Sequence, residues 1–462
     1  MTDSGQATQT IPLYVKQPKV YPRETRGRFS RLRVTAAWVL LGLFYVVPWI
    51  NWGGQQIVLF DLPGRQFHFL GITLWPQDLI ILSLLLALAA LTLFFFTALA
   101  GRLWCGYACP QTVWTEVFLW MERVTEGSRN KRIKLDKAPW SKDKLIRKSS
   151  KQFLWITFAL WTGFTFVGFF VPIRELGPRV LSFDLGGWET FWMFFYGFAT
   201  YGNAGYMREQ VCKYMCPYAR FQSAMFDADS LVISYDAERG EPRGGRPKNA
   251  DYKAMGLGDC IDCTACVQVC PTGIDIRDGL QIECIACAAC IDVCDEVMDK
   301  MNYPRGLIRY TTDNALKNKP TRILRPRIFI YLAALALLST IIGLVLTGRD
   351  PLIADVLRDR TSLYRVVGSE LENSYSLKLT NRTDEVMRLD ISAEGLPNLR
   401  VVQPSRTVEV AAGQTADLPL TVALPLTAAD PGMQPMTIEI RSPDDERLTQ
   451  VETRFFIPAN PD

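Results

Sequence analysis

The sequence predicts a multi-domain integral membrane protein made of three parts with different fold classes. These are an α-helical membrane part with five spans, a cysteine-rich α+β insert and a C-terminal all-β part. Five apolar runs are candidates for membrane helices, eight cysteines follow one regular spacing, and the C-terminal segments alternate between apolar and polar side chains. The chain of 462 residues is 48% hydrophobic and 21% charged, which suits a mixed architecture.

The five apolar runs lie at residues 34–50, 79–100, 152–171, 188–201 and 328–347. A hydrocarbon core of ~30 Å needs about 20 apolar residues of helix, and the second, third and fifth runs meet that length. The first run is at the short end, and the fourth predicts a helix that extends toward Met207. The run at 79–100 contains no charged residue, which argues against a buried helix of a soluble domain.

Basic residues predict the orientation of these helices. Lys and Arg crowd the segments before the first run, between the second and third runs, and before the fifth, whereas residues 51–78 carry only Arg65. By the positive-inside rule the N-terminus lies inside and the C-terminus outside after five crossings. The first run lies well inside the chain and lacks an A-x-A site after it, so we expect an uncleaved helix.

Twelve cysteines and one histidine limit the chemistry that the chain can perform. A single imidazole excludes a bis-histidine haem and a histidine-rich zinc site, and the sequence has no C-x-x-C-H motif for covalent c-type haem. The histidine, His68, lies in a predicted β-hairpin with strands at 57–60 and 67–70, and we interpret it as structural. Metal or redox chemistry in this chain must therefore use sulfur.

Eight of the cysteines form two copies of one motif on the predicted inner side. The spacing C-x2-C-x2-C-x3-C is that of proteins with two [4Fe–4S] clusters, in which the fourth cysteine of each run serves the other cluster. The predicted ligand sets are Cys260, Cys263, Cys266 and Cys294 for cluster 1, and Cys284, Cys287, Cys290 and Cys270 for cluster 2.

Zinc sites and disulfides are the alternatives for these eight cysteines. Zinc takes four ligands per site and does not explain two complete runs of this spacing, and disulfides are disfavoured in a reducing cytosol. One departure from the usual pattern is Asp295, which stands where proline commonly follows the last cysteine. Since proline is not a ligand, two clusters are still predicted.

The remaining four cysteines form an internal repeat at the inner membrane edge. The motif C-x-Y-x-C-P places Cys105 and Cys109 after the second apolar run, and Cys212 and Cys216 after the fourth. An arginine precedes each motif. Sites in membrane proteins commonly lie at the interface between such repeats, so the four thiols are candidates for a shared site, and the sequence leaves open whether they meet.

Soft sulfur ligands select Cu(I), zinc or iron–sulfur clusters, and Met215 and Met207 are additional thioether candidates. Inert packing is the simpler interpretation of a single buried cysteine, but two copies in matching positions favour a function. A redox dithiol is the competing function, although C-x3-C is wider than the usual C-x-x-C motif. The proline after each second cysteine predicts that the helix kinks or ends there.

Residues from about 350 onward predict an immunoglobulin-like β-sandwich. They contain no cysteine, and alternating segments occur at 375–380, 386–391, 407–410, 418–422 and 436–440. Turn signals separate these segments, and about seven short strands in ~100 residues suit such a sandwich without its disulfide. We interpret this part as an interaction module outside the membrane.

The combination of these parts resembles the CcoG family of cytochrome oxidase accessory proteins, also called FixG or RdxA. Matching stretches include residues 104–114, WCGYACPQTVW, and 135–140, LDKAPW. The resemblance implies a bacterial inner-membrane protein that serves assembly of a cbb-type cytochrome oxidase as a cupric reductase, converting Cu(II) to Cu(I). It implies copper at Cys105, Cys109, Cys212 and Cys216, and Met215 is a further candidate ligand.

The predicted domains are a cytoplasmic basic tail at 1–33, a four-span membrane domain at 34–220, a cytoplasmic ferredoxin-like domain at 221–327, a fifth membrane helix at 328–347 and a periplasmic immunoglobulin-like domain at 348–462. Expected partners are membrane lipid, a cytoplasmic electron donor, copper chaperones or transporters, and oxidase assembly factors. A homodimer is a candidate assembly, and nucleic acid is not expected.

Two alternative functions remain open at the level of sequence. The first is a quinol-linked electron-transfer subunit similar to NapH proteins, which share the four-span half and the twin motifs. The fifth span and the outer domain argue against it. The second is a non-catalytic scaffold or copper chaperone for oxidase assembly.

Overall fold

The computed structural model of the chain describes residues 19–459 apart from 249, 360–362, 384, 405–406, 427–429 and 444–447. Most of the predicted basic tail therefore lies outside the described residues. The chain divides into two compact units, Met1–Ile342 and Gly343–Asp462. The first unit is mainly helical with three small sheets, and the second consists of β-strands that follow the end of the last helix.

Three helices of the described part are long and apolar enough to cross a membrane: Arg28–Trp49, Leu79–Ala100 and Pro326–Thr347. Their side chains are mostly exposed and apolar, as expected for surfaces that face lipid. The chain therefore has the helices of a membrane protein.

The other two predicted spans form helices that do not meet the same criteria of length and composition. The helix Lys142–Val167 has a charged first third, and it ends four residues before the predicted end of its apolar run. The fourth run forms the α-helix Gly187–Thr200 and continues as π-helix to Met207, so the expected extension toward that residue is present. These two helices pack side by side: a Cβ on Gly163 would come within 2.1 Å of the Met193 carbonyl oxygen.

Shorter helices connect the long ones and support the cysteine motifs. They comprise Leu103–Tyr107, Pro110–Glu126, Arg129–Lys137, Ile173–Leu181, π-helical Val211–Met215, Pro217–Met225, Ala237–Gly240, Ala265–Val269, Ala289–Met301 and Asp313–Leu316. Single 3-10 turns occur at Val47–Trp49, Pro76–Asp78 and Ile276–Asp278.

The predicted hairpin is present and gains a third strand. Strands Val58–Asp61, Gln66–Phe69 and Ile72–Leu74 form an antiparallel sheet, and Asn51–Trp52 pairs with Gln55–Gln56 nearby in sequence. His68 lies opposite Leu59 in this sheet, and its Nδ1 is 2.9 Å from Thr73 Oγ1. Burial lowers the pKa of His68, which favours the neutral ring.

The cysteine-rich part is built around a two-stranded antiparallel sheet of Val232–Tyr235 and Ile308–Thr311, with Ile233 opposite Tyr310. Residues from both strands and from the helix Ala289–Met301 form a hydrophobic core. The most completely buried members of that core are Ile233, Ala288, Met298, Leu307 and Ile308. The sheet therefore joins the two ends of this part, and the cysteine motifs lie in the chain between its two strands.

The second unit is a β-sandwich. One sheet contains Arg400–Gln403, Thr415–Pro425, Glu370–Asn381 and Leu352–Arg358 in this order, with Arg365–Val367 paired to Glu370–Asn381. The other contains Val408–Val410, Met387–Glu394, Gly432–Arg441 and Leu448–Ile457. Apolar residues of alternating positions in both sheets, such as Leu377, Leu420 and Ile438, are fully buried in one core. The described strands overlap all five predicted segments, and the predicted sandwich is present.

Candidate iron–sulfur sites and membrane-edge cysteines

The two cysteine motifs fold into loops with the same backbone pattern. In the first loop Asp262 and Thr264 have φ of 51° and 55°, and in the second Ala286 and Ala288 have φ of 53° and 59°. Each pair brackets the middle cysteine, and a helix begins directly after it. Left-handed residues within a turn direct successive backbone N–H groups into a concavity that suits an anion, as in many iron–sulfur sites.

Site 1 is a small cavity lined by Cys260, Cys263, Cys266 and Cys294. The first three come from the first loop, whereas Cys294 comes from the helix Ala289–Met301 of the second motif. Tyr235, Ile308 and Met298 are among the other residues of the wall. The first predicted ligand set thus surrounds one space.

Site 2 is a small cavity lined by Cys270, Cys284, Cys287 and Cys290. Its remaining wall is mainly apolar and includes Ile233, Ile274 and Ile285. Cys266 lines both cavities, so the two sites are neighbours. The second predicted set also surrounds one space, and the fourth cysteine again comes from the other motif.

All twelve cysteines belong to the described residues, and all are free thiols. Burial raises the pKa of Cys266 to about 11 and that of Cys284 and Cys294 to about 12, so metal binding at these positions has to release thiol protons. Across the described residues, no three Cys, His, Asp or Glu side chains converge so as to hold a single metal ion. Four thiols spread around an apolar cavity fit a [4Fe–4S] cluster, in which each thiolate binds a separate iron.

The membrane-edge cysteines are Cys105, Cys109, Cys212 and Cys216, and both repeats have the same local fold. Cys105 and Cys212 lie in short helices, whereas Cys109 and Cys216 are extended, with ψ of 128° and 111°. The prolines after these extended cysteines begin the helices Pro110–Glu126 and Pro217–Met225. The expected helix break at each second cysteine is therefore present.

The two repeats bring their thiols into one neighbourhood. Burial raises the pKa of Cys105 to about 12, and the thiolates of Cys109 and Cys212 contribute to this shift. Burial also raises the pKa of Cys212 to about 11, with contributions from Cys109 and Cys216. Cys105 and Cys212, one from each repeat, also pack against the same buried group.

The membrane-edge cysteines share a hydrophobic core with site 2. Cys105 and Cys212 pack against a buried group that contains Cys287 and Ile285. Gly106 lies directly on the site 2 loop, because a Cβ at this position would be 2.8 Å from the Ile285 carbonyl oxygen and 2.9 Å from Cys287 Cα. The two kinds of cysteine site are thus parts of one packed structure.

Arg102 joins these parts by hydrogen bonds. Its buried guanidinium donates to the carbonyl oxygens of Cys284, at 3.3 Å, and of Ile282. It also donates to the Ala219 carbonyl oxygen, at 2.5 Å, in the helix that follows the second repeat. The sequence identified Arg102 only by its position before the motif, and this bridging role was missed. The glycine inside C-G-Y was the available signal for close packing at Gly106.

A buried ionic network supports the second repeat, and sequence reasoning missed it. Glu122 is fully buried, and its Oε2 is 2.8 Å from Arg132 and 3.2 Å from Arg208. Lys151 lies between Glu122, at 3.8 Å, and Glu126, at 2.9 Å. The network positions Arg208, the counterpart of Arg102, and it could not be read from the sequence because its members are distant along the chain.

Comparison with protein-family models matches three regions of the chain. Residues 207–313 match a 4Fe-4S dicluster domain, residues 82–128 match a 4Fe-4S binding domain, and residues 342–458 match the IG-like fold at the C-terminal of FixG. The first match includes both sites and the second repeat, and the second match includes Cys105 and Cys109. Iron–sulfur domains and an IG-like domain are therefore present in one chain.

Curated relatives match along most of the chain. The Nitrogen fixation protein FixG of Rhizobium meliloti is 39% identical over 445 residues, which cover 88% of this chain and 83% of FixG. Protein RdxB of Cereibacter sphaeroides is 38% identical over 88% of this chain and 89% of its own length. Protein RdxA of the same organism is 37% identical, with 84% and 85% covered.

Among solved structures, the crystal structure of a FixG-related protein from Vibrio parahaemolyticus matches with 28% identity and a TM-score of 0.22, covering 24% of this chain and 98% of that chain. The long matches to FixG, RdxA and RdxB confirm the resemblance that the motifs suggested. On this basis the chain belongs to the FixG/RdxA family, the family also called CcoG.

Proposed function

We propose that this chain is a cupric reductase of the bacterial inner membrane that supplies Cu(I) for assembly of a cbb-type cytochrome oxidase. One observation carries the proposal: Cys105 and Cys212 pack against the same buried group as Cys287 of site 2. A thiol pair suited to copper therefore contacts the wall of a site suited to an electron carrier. The two membrane-edge repeats and the site 2 loop are far apart in sequence but pack together. This packed region contains both proposed copper ligands and proposed cluster ligands.

In this proposal site 1 and site 2 each hold one [4Fe–4S] cluster through the four cysteines that line them. Such clusters supply single electrons when bound. The residues of the chain exclude water with apolar walls, hold the loops in place through the left-handed residues, and fix the site 2 loop through Arg102. A cytoplasmic electron donor provides the reducing equivalents.

Copper is the substrate, and the membrane-edge cysteines are its proposed ligands. One electron converts one Cu(II) to one Cu(I), and thiolates prefer the reduced ion, so ligation and reduction favour the same product. Because Cys105 and Cys212 come from different repeats and pack against the same buried group, we propose that thiolates of both repeats bind the copper. Met215 is 58% exposed and is proposed as a thioether ligand on the path of copper release.

The proposed placement in the membrane has five spans, with the N-terminus and the iron–sulfur sites in the cytoplasm and the immunoglobulin-like domain in the periplasm. The two helices beyond the three strongest candidates would cross as a closely packed pair, which the contact of Gly163 with Met193 supports. Copper chaperones or transporters and oxidase assembly factors are the proposed partners, and a homodimer is the proposed candidate assembly.

The proposal is tested by copper binding to the purified full-length chain. Replacing Cys105, Cys109, Cys212 and Cys216 by serine should lower bound Cu(I) to background while the iron content and the visible iron–sulfur absorption stay at wild-type values. Met215→Leu should lower copper affinity only slightly, and Tyr214→Phe, which leaves all sulfur atoms in place, serves as the control. Undiminished copper binding in the four-serine variant would overturn the site.

A second candidate function is a quinol-linked electron-transfer subunit. A small cavity touches both Cys212 and Cys287, and its lining combines apolar residues with the polar groups of Tyr107 and Gln111 and with charged residues that include Glu209 and Arg208. This composition suits a small amphipathic ligand. Reduction of the iron–sulfur sites by a short-chain quinol, without reduction of added Cu(II), would favour this function over the cupric reductase.

A further inference from the structure

A second cavity at the inner membrane edge is lined by arginines. It lies between the segment that precedes the first apolar helix, the helix Pro110–Glu126 and the loop after Cys270, and has a volume of about 240 Å³. We refer to it as the arginine cavity. Its charged lining residues are Arg23, Arg26, Arg33, Arg123 and Arg132, with Glu24 and Glu116 as the carboxylates.

The carboxylates of this cavity do not balance its arginines. Arg123 pairs with both Glu24, at 2.9 Å, and Glu116, at 3.3 Å. Arg132 pairs instead with Glu122, which several other cations already contact. No carboxylate of the described residues forms an ion pair with any of the three remaining arginines, which are Arg23, Arg26 and Arg33.

Part of this positive charge is buried with unused hydrogen-bond donors. The side chain of Arg132 is only 2% exposed, and its Nε has no hydrogen-bond partner. Arg33 Nε and Thr25 Oγ1 are likewise buried without a partner. Buried donors normally have hydrogen-bond partners, and buried charge is costly unless it is paired. The cavity therefore suits a ligand that is negatively charged and accepts hydrogen bonds.

The position of the cavity identifies the source of such an acceptor. Arg33 and Val34 lie in the first turns of the helix Arg28–Val46, which belongs to the candidate span Arg28–Trp49. The neighbouring Arg23 and Arg26 are exposed, so the cavity is open on that side. Basic pockets beside the cytoplasmic ends of membrane helices bind anionic lipid headgroups, and guanidinium groups match phosphate oxygens in geometry.

We propose that the arginine cavity binds the phosphate of an anionic phospholipid headgroup. The phosphate would accept hydrogen bonds from Arg33 and Arg26 and would compensate part of the unpaired charge. A basic segment that only follows the positive-inside rule differs from this arrangement, because its side chains would be hydrated at the surface. Since Val269 and Pro271 also line the cavity, a bound headgroup would contact the chain beside the site 2 ligand Cys270.

The test uses the delipidated full-length chain in a neutral detergent, with lipid binding followed by native mass spectrometry. Phosphatidylglycerol should bind at least roughly tenfold more tightly than phosphatidylcholine, because the latter has no net negative charge. The double variant Arg26→Gln/Arg33→Gln should lose this preference. Arg31→Gln is the matched control, because Arg31 is an exposed arginine of the same helix outside the cavity.

Competition with inorganic phosphate distinguishes a phospholipid headgroup from free phosphate, since both offer phosphate oxygens to the arginines. Competition by phosphate only at large excess supports the phospholipid, whereas binding of phosphate with no response to phosphatidylglycerol overturns the lipid assignment. Equal affinity of the wild-type chain for both lipids overturns the site itself, and this measurement does not depend on the folding of any variant. The copper and iron contents are not part of the readout, so this proposal and the proposed reductase function fail independently.

Discussion

Site 1 and site 2 have the same four-cysteine layout but different surroundings. Site 1 faces outward: Cys263 is exposed, and Asp275 and Asp262 lie nearby, both paired with Arg277. Site 2 faces the membrane-edge cysteines, and its charged neighbours include the guanidinium groups of Arg102 and Arg33 and the carboxylate of Glu116.

This difference indicates a division of roles between two copies of one motif. The positive charge of Arg102, which donates to carbonyl oxygens and forms no ion pair among the described residues, stabilises the more negative, reduced form of a bound cluster. Site 2 should therefore hold its cluster at the higher midpoint potential, next to the proposed copper ligands. Site 1 should exchange electrons with the proposed electron donor.

The largest expected effect is the loss of one cluster by a single substitution. Cys287→Ala should lower the iron content from about eight to about four atoms per chain, because site 2 loses a ligand while site 1 keeps all of its own. Cys263→Ala is the matched change at site 1. Iron analysis with electron paramagnetic resonance of the reduced protein should show a different residual signal in each variant. The same residual signal from both would contradict the assignment of ligands.

The second effect concerns the ionic network around Glu122, which positions Arg208 before the second membrane-edge repeat. Glu122→Gln leaves buried Arg132 and Arg208 without their carboxylate, and removal of one partner of a buried pair costs about 3–5 kcal/mol. The thermal unfolding midpoint of the detergent-solubilised chain should fall clearly. Asp143→Asn, in an exposed pair with Arg147, should change stability by less than about 1 kcal/mol. Equal effects of the two substitutions would show that the network is not structurally important.

A smaller effect is expected from adding a methyl group at Gly106, where the first repeat contacts the site 2 loop. Gly106→Ala places a Cβ 2.8 Å from backbone oxygens that cannot rotate away, so overpacking should cost about 1–3 kcal/mol. Unfolding experiments should show this loss, and the copper affinity should fall with it. Gly177→Ala is the control, because nothing lies within 4 Å of a Cβ at that helical position. Wild-type copper affinity in the Gly106→Ala variant would show that copper binding does not depend on the contact between the first repeat and site 2.

The smallest expected effect is on the midpoint potentials of the clusters at site 1 and site 2. Arg102→Gln removes one positive charge from site 2, and an interaction of about 1 kcal/mol corresponds to a decrease on the order of 50 mV in the midpoint potential of that site. Arg277→Gln is the equivalent change at site 1 and should act on the other potential. A redox titration followed by electron paramagnetic resonance can assign both. If each variant shifted the midpoint potentials of both sites equally, Arg102 would not act specifically on site 2 nor Arg277 on site 1, and the proposed division of roles would be wrong.

The local features of this molecule were predictable from sequence, whereas the contacts between its parts were not. The regular cysteine spacing predicted the two sets that line site 1 and site 2, because ligand positions on a short loop are determined by separation along the chain. The alternation around Leu377 and Leu420 predicted the sandwich for the same reason, since side-chain direction in a strand has period two.

The contacts of Arg102 with Cys284 and of Glu122 with Arg208 join residues that are far apart in sequence. No periodicity encodes such pairs, because they depend on how helices pack after each has formed. The length of the helix around Lys151 was also predicted only in part, because its charged first third is stabilised by Glu126 rather than by lipid. Both the long-range contacts and the start of this helix therefore depend on tertiary interactions, which the local sequence pattern does not contain.

The most direct test of the proposed reductase is a stoichiometric one. The anaerobic protein, reduced and freed of excess reductant, is mixed with Cu(II), and Cu(I) is quantified with a chromogenic chelator while the iron–sulfur absorption is followed. We predict one Cu(I) formed for each electron lost from the iron–sulfur sites, and no rapid Cu(I) formation by the variant with serine at all four membrane-edge cysteines. Equally rapid formation of Cu(I) by that variant, with intact iron content, would contradict the central claim.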